Sequence, residues 1–281
     1  MKKSVILAGV LSVLALVSCG NNKYDDDHII TVCCSSLPHE AILENAVKPI
    51  LEKQGYKLET TVLDWSIQND AVKNKEYDAN YFQHRPYLQE WETGNTNYNV
   101  DYEYKTLFPA ATVHYEPLRI YAGKKTAAQF ESEKTTSTFV ICNDGTNETR
   151  ALDLLVKNGV IASYQTDANG NPINLPSNIK ALSEETLAVA LADYDYGVLP
   201  TNTALTGNIT ADPSLPVEGS DVADLRSNVI AARVSDYIND SVYKTKINVL
   251  VDACIDKSIE TYINTTYNNV IAAYQNVLVV K

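Results

Sequence analysis

The chain has 281 residues, 45% of them hydrophobic and 21% charged. This is a globular composition, neither disordered nor fibrous, and the length allows one large domain or two of ordinary size. Asp and Glu total 35 against 23 for Lys and Arg, a net charge of −12 at pH 7; with no basic run anywhere, nucleic acid is excluded as the main partner.

Met1-Lys2-Lys3 is a short positive region, and Val5 to Val17 carries no charge. That run is too short for a membrane span of ~20 residues and suits the apolar part of a secretory signal, so residues 1–18 read as a signal peptide. Leu16-Val17-Ser18-Cys19 then resembles a bacterial lipobox, with small Ser18 directly before Cys19. The expectation is that Cys19 becomes the lipidated first residue of the mature chain; an ordinary signal peptide ending in a chance cysteine is the alternative. Residues 19–28 read as that cysteine and a polar tether, GNNKYDDD at its centre.

Export permits disulfides among the four remaining cysteines, Cys33, Cys34, Cys142 and Cys254. Cys33 and Cys34 are adjacent on an expected strand and point to opposite faces, so buried free thiols stand beside any bridge as a reading. There is no CxxC, and His28, His39, His84 and His114 are scattered singly. No metal site is expected.

Ile29 to Cys34 reads as a short buried strand, followed by a helix from about Pro38 to Gln54 with Ile42, Leu43, Ala46, Val47, Ile50 and Leu51 on one stripe. Pro49 should kink that helix and Gly55 should end it. Lys57–Leu63 and Tyr77–Phe82 read as further strands, an order that predicts a parallel α/β sheet. A second unit starts past the middle: strand Ser137–Cys142, a turn, helix Asn147–Asn158 stopped by Gly159, a loop over Asn169–Asn178, helix Glu184–Ala192 and strand Tyr196–Leu199. Asn228–Ala232 returns as a strand, and apolar positions from Ile247 to Ile263 mark one long amphipathic C-terminal helix. The expected fold is α/β with two lobes, the first from 29–112 and 227–281 and the second from 113–226, crossing near 110–115 and 223–230. Ligands of such proteins sit in the cleft between lobes.

Catalytic motifs are absent: no GxSxG, no HExxH, no GxxxxGK[ST]. The chain is therefore expected to be no enzyme and to need no cofactor. The segment from Asp78 to Leu88 (DANYFQHRPYL) concentrates aromatics and a His just past a strand. With it stand LPHEAIL from Leu37, VHYEPL from Val113, NDGTNETRAL from Asn143 and NVIAAR from Asn228. On these five ordered motifs the chain resembles the methionine-binding lipoprotein family, the substrate-binding subunits of methionine ABC importers, from residue 29 to about 275.

The resemblance implies a Venus-flytrap fold closing on a free amino acid, anchored by lipid on the extracytoplasmic side and partnered by an ABC permease with its ATPase. It implies that Trp65, Phe82, His84 and Tyr87 wrap the thioether, whose sulfur sits well against aromatic edges. Arg150 matches the family's carboxylate-binding Arg, a bidentate role Lys cannot reproduce; an ion pair with Glu148 or Asp153 is the plain alternative. Asn228 and Asn202 match family Asn positions that reach the ligand's backbone groups. Three positions depart from the pattern: Pro200 stands where the family has its first Asn, Thr203 where it has Tyr, and Arg119 where a small residue is usual. These departures leave open which methionine-like compound binds, with Asn202, a water or Arg119 as compensation for Pro200. A surface antigen or adhesin that keeps the fold and has lost transport is the alternative function.

Overall fold

In the computed structural model, which describes residues 24–268 and 270–278, the run IITVCC forms strand β1 (Ile29–Cys34). The signal peptide and Cys19 lie outside the described residues. Ile30, Val32 and Cys34 enter one core and Cys33 the other, the period-2 alternation of a strand buried on both faces. All four of these cysteines, with Cys142 and Cys254 among them, are free and buried.

Leu37 is still extended (φ −99°, ψ 137°), and the helical stretch after it runs to Lys53, with a wider turn at Leu43–Val47 before the regular turns of Lys48–Lys53. The Lys48 N–H reaches back five residues to Leu43, so Pro49 follows a turn already widened and the helix continues. Gly55, at φ 84°, ends it.

Strands β2 (Lys57–Val62) and β3 (Ala79–His84) pair in parallel with β1 on its two sides. β3 starts two residues after the expected position because it continues to His84, whose ring accepts the Tyr87 N–H and caps helix Arg85–Thr93. Helices Trp65–Lys73 and Arg85–Thr93 and strand β4 (Leu107–Tyr115) have no counterpart in the sequence expectations. β4 carries no alternation because all nine residues are buried.

The chain leaves this sheet after Tyr115 through Glu116-Pro117-Leu118. The second lobe follows with β5 (Arg119–Ala122), β6 (Phe139–Cys142), a separate hairpin of β7 (Gln165–Thr166) and β8 (Pro172–Ile173) where β8 falls in the expected loop, then β9 (Ile179–Leu182) and β10 (Tyr196–Leu199); the second sheet takes all but the hairpin. Its order is β5-β10-β6-β9, parallel except for β5. Helix Gly145–Lys157 begins two residues early, where Asp144 accepts the Asn147 N–H as its cap.

The return crossing covers 218–226 and delivers β11 (Ser227–Arg233) between β3 and β4, antiparallel to both; β12 (Ala272–Val277) then pairs with β4. The first sheet, in the order β12-β4-β11-β3-β1-β2, is thus mixed where a parallel one was expected. The expected single C-terminal helix is two, Ser241–Cys254 and Lys257–Tyr267. Both bury their apolar stripe against the first sheet, beside Val32 and Cys34. Asp256 makes the break by accepting the Ser258 N–H at 2.8 Å. The architecture is two α/β lobes, each with its own sheet and core, joined by two crossings. No helix among the described residues is long and apolar enough to cross a membrane.

Asp256→Ala should cost about 1 kcal/mol, the usual loss for a helix cap, read as a lower urea midpoint with unchanged slope. An unchanged midpoint would show that packing alone imposes the break.

Candidate functional site

The lobes border one small cavity. Every residue singled out from the sequence as a ligand contact lines it: Trp65, Phe82, His84 and Tyr87 from the first lobe, Arg150 and Asn202 from the second, and Asn228 from the return strand. Trp65 opens helix Trp65–Lys73, Phe82 and His84 end β3, and Tyr87 lies in the first turn after it, so one strand end and two helix starts supply the aromatic wall. Tyr87 meets Trp65 at 5.5 Å and Phe82 at 5.8 Å between ring centres, both edge-on.

His84 is held in one tautomer. Its Nδ1 accepts the Tyr87 N–H at 3.2 Å, so Nε2 carries the proton and donates to Asn147 Oδ1 across the cleft, also at 3.2 Å. Burial, then the charges of Arg226 and Arg150, hold its pKa well below the ordinary value. It lines the cavity as a neutral ring.

Arg150 is paired, but with neither Glu148 nor Asp153. Its Nε and Nη2 donate to the two oxygens of Glu218 at 2.9 and 2.5 Å, Nη1 donates to Asn147 Oδ1 at 3.0 Å, and Nη2 also to the Glu116 carbonyl at 3.1 Å. Burial works against this guanidinium, and Glu218 outweighs it. Glu218 further accepts from Tyr115 Oη at 2.8 Å and the Leu118 N–H at 3.2 Å. What Arg150 still offers the cavity is the second N–H of Nη1.

Glu116 comes from the first crossing. It accepts from His114 Nε2 at 2.6 Å and from the Asn202 N–H at 2.9 Å, and lies 3.4 Å from His39 Nε2. Burial pushes its pKa up, but the neighbouring His39 and the bond from His114 more than offset this, and it stays below the usual carboxylate value. His39 Nε2 donates to Asn228 Oδ1 at 3.1 Å, which leaves the Asn228 amide group to face the cavity as a donor. The single spacing of histidines in the sequence is therefore misleading: ligating atoms of His39, His114 and Glu116 lie within 4.8 Å of one another. Of the two rings, His114 hydrogen-bonds the Glu116 carboxylate, while His39 lies beside it and bonds Asn228.

Sequence reasoning singled out neither Ser35, Gln83, Glu116 and Asn147 of the lining nor Glu184, and Glu184 carries the least local signal. At the start of helix Glu184–Ala190 it looks like an ordinary first-turn acid, and nothing in its neighbourhood signals a site. One oxygen accepts from Asn202 Nδ2 and from Thr203 Oγ1, each at 2.8 Å. Burial, then the charge of Asp144, push its pKa up to about 7. Pro200 also lines the cavity, whereas Arg119 is not part of the lining. The polar group beside Pro200 is Glu184.

The two lobes touch directly around the cavity. Trp65 Nε1 donates to Glu185 at 2.6 Å, and Glu90 accepts the Thr146 N–H at 3.2 Å. Gly145 lets these groups approach closely, since a Cβ there would come within 2.5 Å of Glu90 Oε1 and the Glu90 side chain would have to shift. The arrangement is a partly aromatic cleft lined also by hydrogen-bonding groups, a site of the kind that takes a small molecule.

Several known proteins resemble this chain in sequence and fold. A family model described as NlpA lipoprotein matches residues 30–274. The methionine-binding lipoprotein MetQ of Bacillus subtilis is 30% identical over 285 residues, spanning 96% of this chain and 98% of its own. Among solved structures, a candidate lipoprotein of Ruminococcus gnavus superposes with a TM-score of 0.74 at 33% identity, covering 88% of this chain and 99% of its own. A candidate methionine-binding lipoprotein of Bacillus subtilis does so with a TM-score of 0.73 at 27% identity, covering 90% of this chain and 100% of its own.

The buried histidines make stability depend on pH. Burial lowers the His39 pKa to about 4, so the unfolded chain binds this proton first as pH falls below ~6.5. The contribution of neutral His39 is complete above that pH and is lost on the way to about 4, up to about 3 kcal/mol in all. Glu148 and Glu184, raised to about 7, act in the opposite sense. The comparison that isolates His39 is wild type against His39→Gln. The gap between their urea-derived stabilities should shrink between pH 7 and pH 4, and a constant gap would show that His39 titrates normally in the fold.

Proposed function

This chain belongs to the NlpA lipoprotein family, and from that premise we propose that it is the lipid-anchored, extracytoplasmic substrate-binding protein of an ABC importer. Its ligand on this reading is methionine or a close derivative, handed to a membrane permease with its ATPase. The observation that carries the reading is the convergence of all seven motif-derived residues, drawn from both lobes and the return strand, on one cavity. The thioether lies among Trp65, Phe82, His84 and Tyr87. The backbone end meets the Asn228 amide, the free Nη1 hydrogen of Arg150, Asn202 and Glu184. The protein binds and releases its ligand unchanged.

Affinity follows from closure. Each lobe supplies only part of the contact set, so the ligand gains its full interaction energy only in the closed form and stabilises that form by the difference. Glu184 gives the ligand ammonium an acceptor where Pro200 offers none.

Mass spectrometry of small molecules released by denaturing the purified protein tests the reading, with a thioether amino acid or derivative as the expected product. Thermal stabilisation by such a compound should be large, and Phe82→Ala should weaken its binding by ~10-fold or more, the equivalent of ~1.4 kcal/mol. A melting temperature indifferent to every thioether compound and free amino acid would favour a surface antigen that keeps the fold without the transport role.

Anchoring follows from Leu16-Val17-Ser18-Cys19. A single acyl chain holds a protein to a bilayer only marginally, so stable attachment needs more than one chain on Cys19. Cys19→Ala should move the protein from the membrane to the soluble fraction; undiminished membrane association would rule out this anchor.

A further inference from the structure

We propose that the cleft selects a cationic ligand: a methionine-like compound of net positive charge, its onium group enclosed by the rings of Trp65, Phe82 and Tyr87 and balanced by Glu184. This rests on the reading that the cleft holds a methionine-like molecule, and goes beyond it by naming the charge.

The charges on the cavity wall do not cancel. Its charged side chains are Glu116, Glu184 and Arg150, with His84 neutral. Arg150 is matched by Glu218 in a forked pair, which leaves the two carboxylates. Glu116 is served by His114 and the Asn202 N–H. Glu184 receives two neutral donors on one oxygen; among the described residues its other oxygen has no hydrogen-bond partner and no cation pairs with it. A zwitterionic amino acid can set its ammonium against Glu184 but adds no net charge, so the lining keeps its excess of negative charge, at a cost in free energy. A ligand with one further positive charge removes the imbalance.

The aromatic wall is built to receive such a charge. Edge-on contacts of Tyr87 with both Trp65 and Phe82 set neighbouring rings near right angles, at 70° and 75°. Rings so disposed turn faces and edges toward one space, and ring faces attract cations. Trp65 Nε1 donates to the Glu185 carboxylate at 2.6 Å, which directs its polar edge away and enriches its π-system. The Tyr87 phenol is pushed up in pKa, first by burial and then by Asp144, Glu90 and Glu184, so this end of the cleft lies in a negative potential. A sulfonium fits both features, since it needs no hydrogen-bond acceptor and keeps the shape of a thioether with one added methyl.

Calorimetric titration of the ligand-stripped protein at pH 8 with L-methionine and S-methyl-L-methionine tests the inference. The sulfonium compound should bind ~10-fold tighter or more. In Glu184→Gln, which retains the acceptor for Asn202 and Thr203, the preference should fall to within ~3-fold. L-methionine binding as tightly as the sulfonium compound in the wild type would overturn the inference and leave the importer reading standing. A preference surviving intact in Glu184→Gln would overturn the role given to Glu184. Failure of both compounds to bind the folded wild type would overturn the inference together with the reading beneath it.

Discussion

Two carboxylates on the crossings between the lobes hold this structure in its functional form, and the pairing of Glu218 with Arg150 is the more consequential. A buried ion pair is tolerable only when the desolvation of both partners is repaid by good geometry and full hydrogen bonding. Here Glu218 accepts from Arg150 twice, from Tyr115 Oη and from the Leu118 N–H, so it binds the return crossing to the outgoing one. Arg150, fixed by that grip, bonds Asn147, and Asn147 accepts in turn from His84 of the other lobe. This pair thus ties helix Gly145–Lys157, whose apolar face is buried in the second lobe, to both crossings.

Glu116 does the corresponding work on the outgoing crossing. Behind it stand His114, bonded to Tyr81, and His39, bonded to Asn228; in front of it is the Asn202 N–H of the second lobe. The orientation of Asn228 is thus set by residues that never touch a ligand. Low dielectric strengthens each link of such a chain and penalises any break in it. That explains why three titratable groups sit buried beside the cavity as one hydrogen-bonded frame.

The mouth of the cleft is held more lightly. Trp65 to Glu185 and Ser36 to Thr206 are bonds between partly accessible side chains, which exchange for water at little net cost. Opening releases these rim bonds cheaply and must also part His84 from Asn147 and Glu90 from the Thr146 N–H, which lie deeper. This division suits a protein that must admit a molecule and surrender it again.

Sequence by itself determined the parts governed by local chemistry. β1, β10 and the helix ending at Gly159 are legible because β-branched runs, helical stripes and left-handed glycines act within a few residues. The seven cavity residues were legible from ordered motifs, whose spacing is preserved along the chain. Tertiary structure alone decided the rest. β4 escaped detection because burial on both faces erases alternation, and the division of the C-terminal helix depended on one cap at Asp256. The partnership of Arg150 with Glu218, the meeting of His39 with His114, and the presence of Glu184 in the cavity join residues far apart in the chain. Hydrogen-bond geometry and burial are properties of where chains cross, and no periodicity in one segment encodes what another will bring against it.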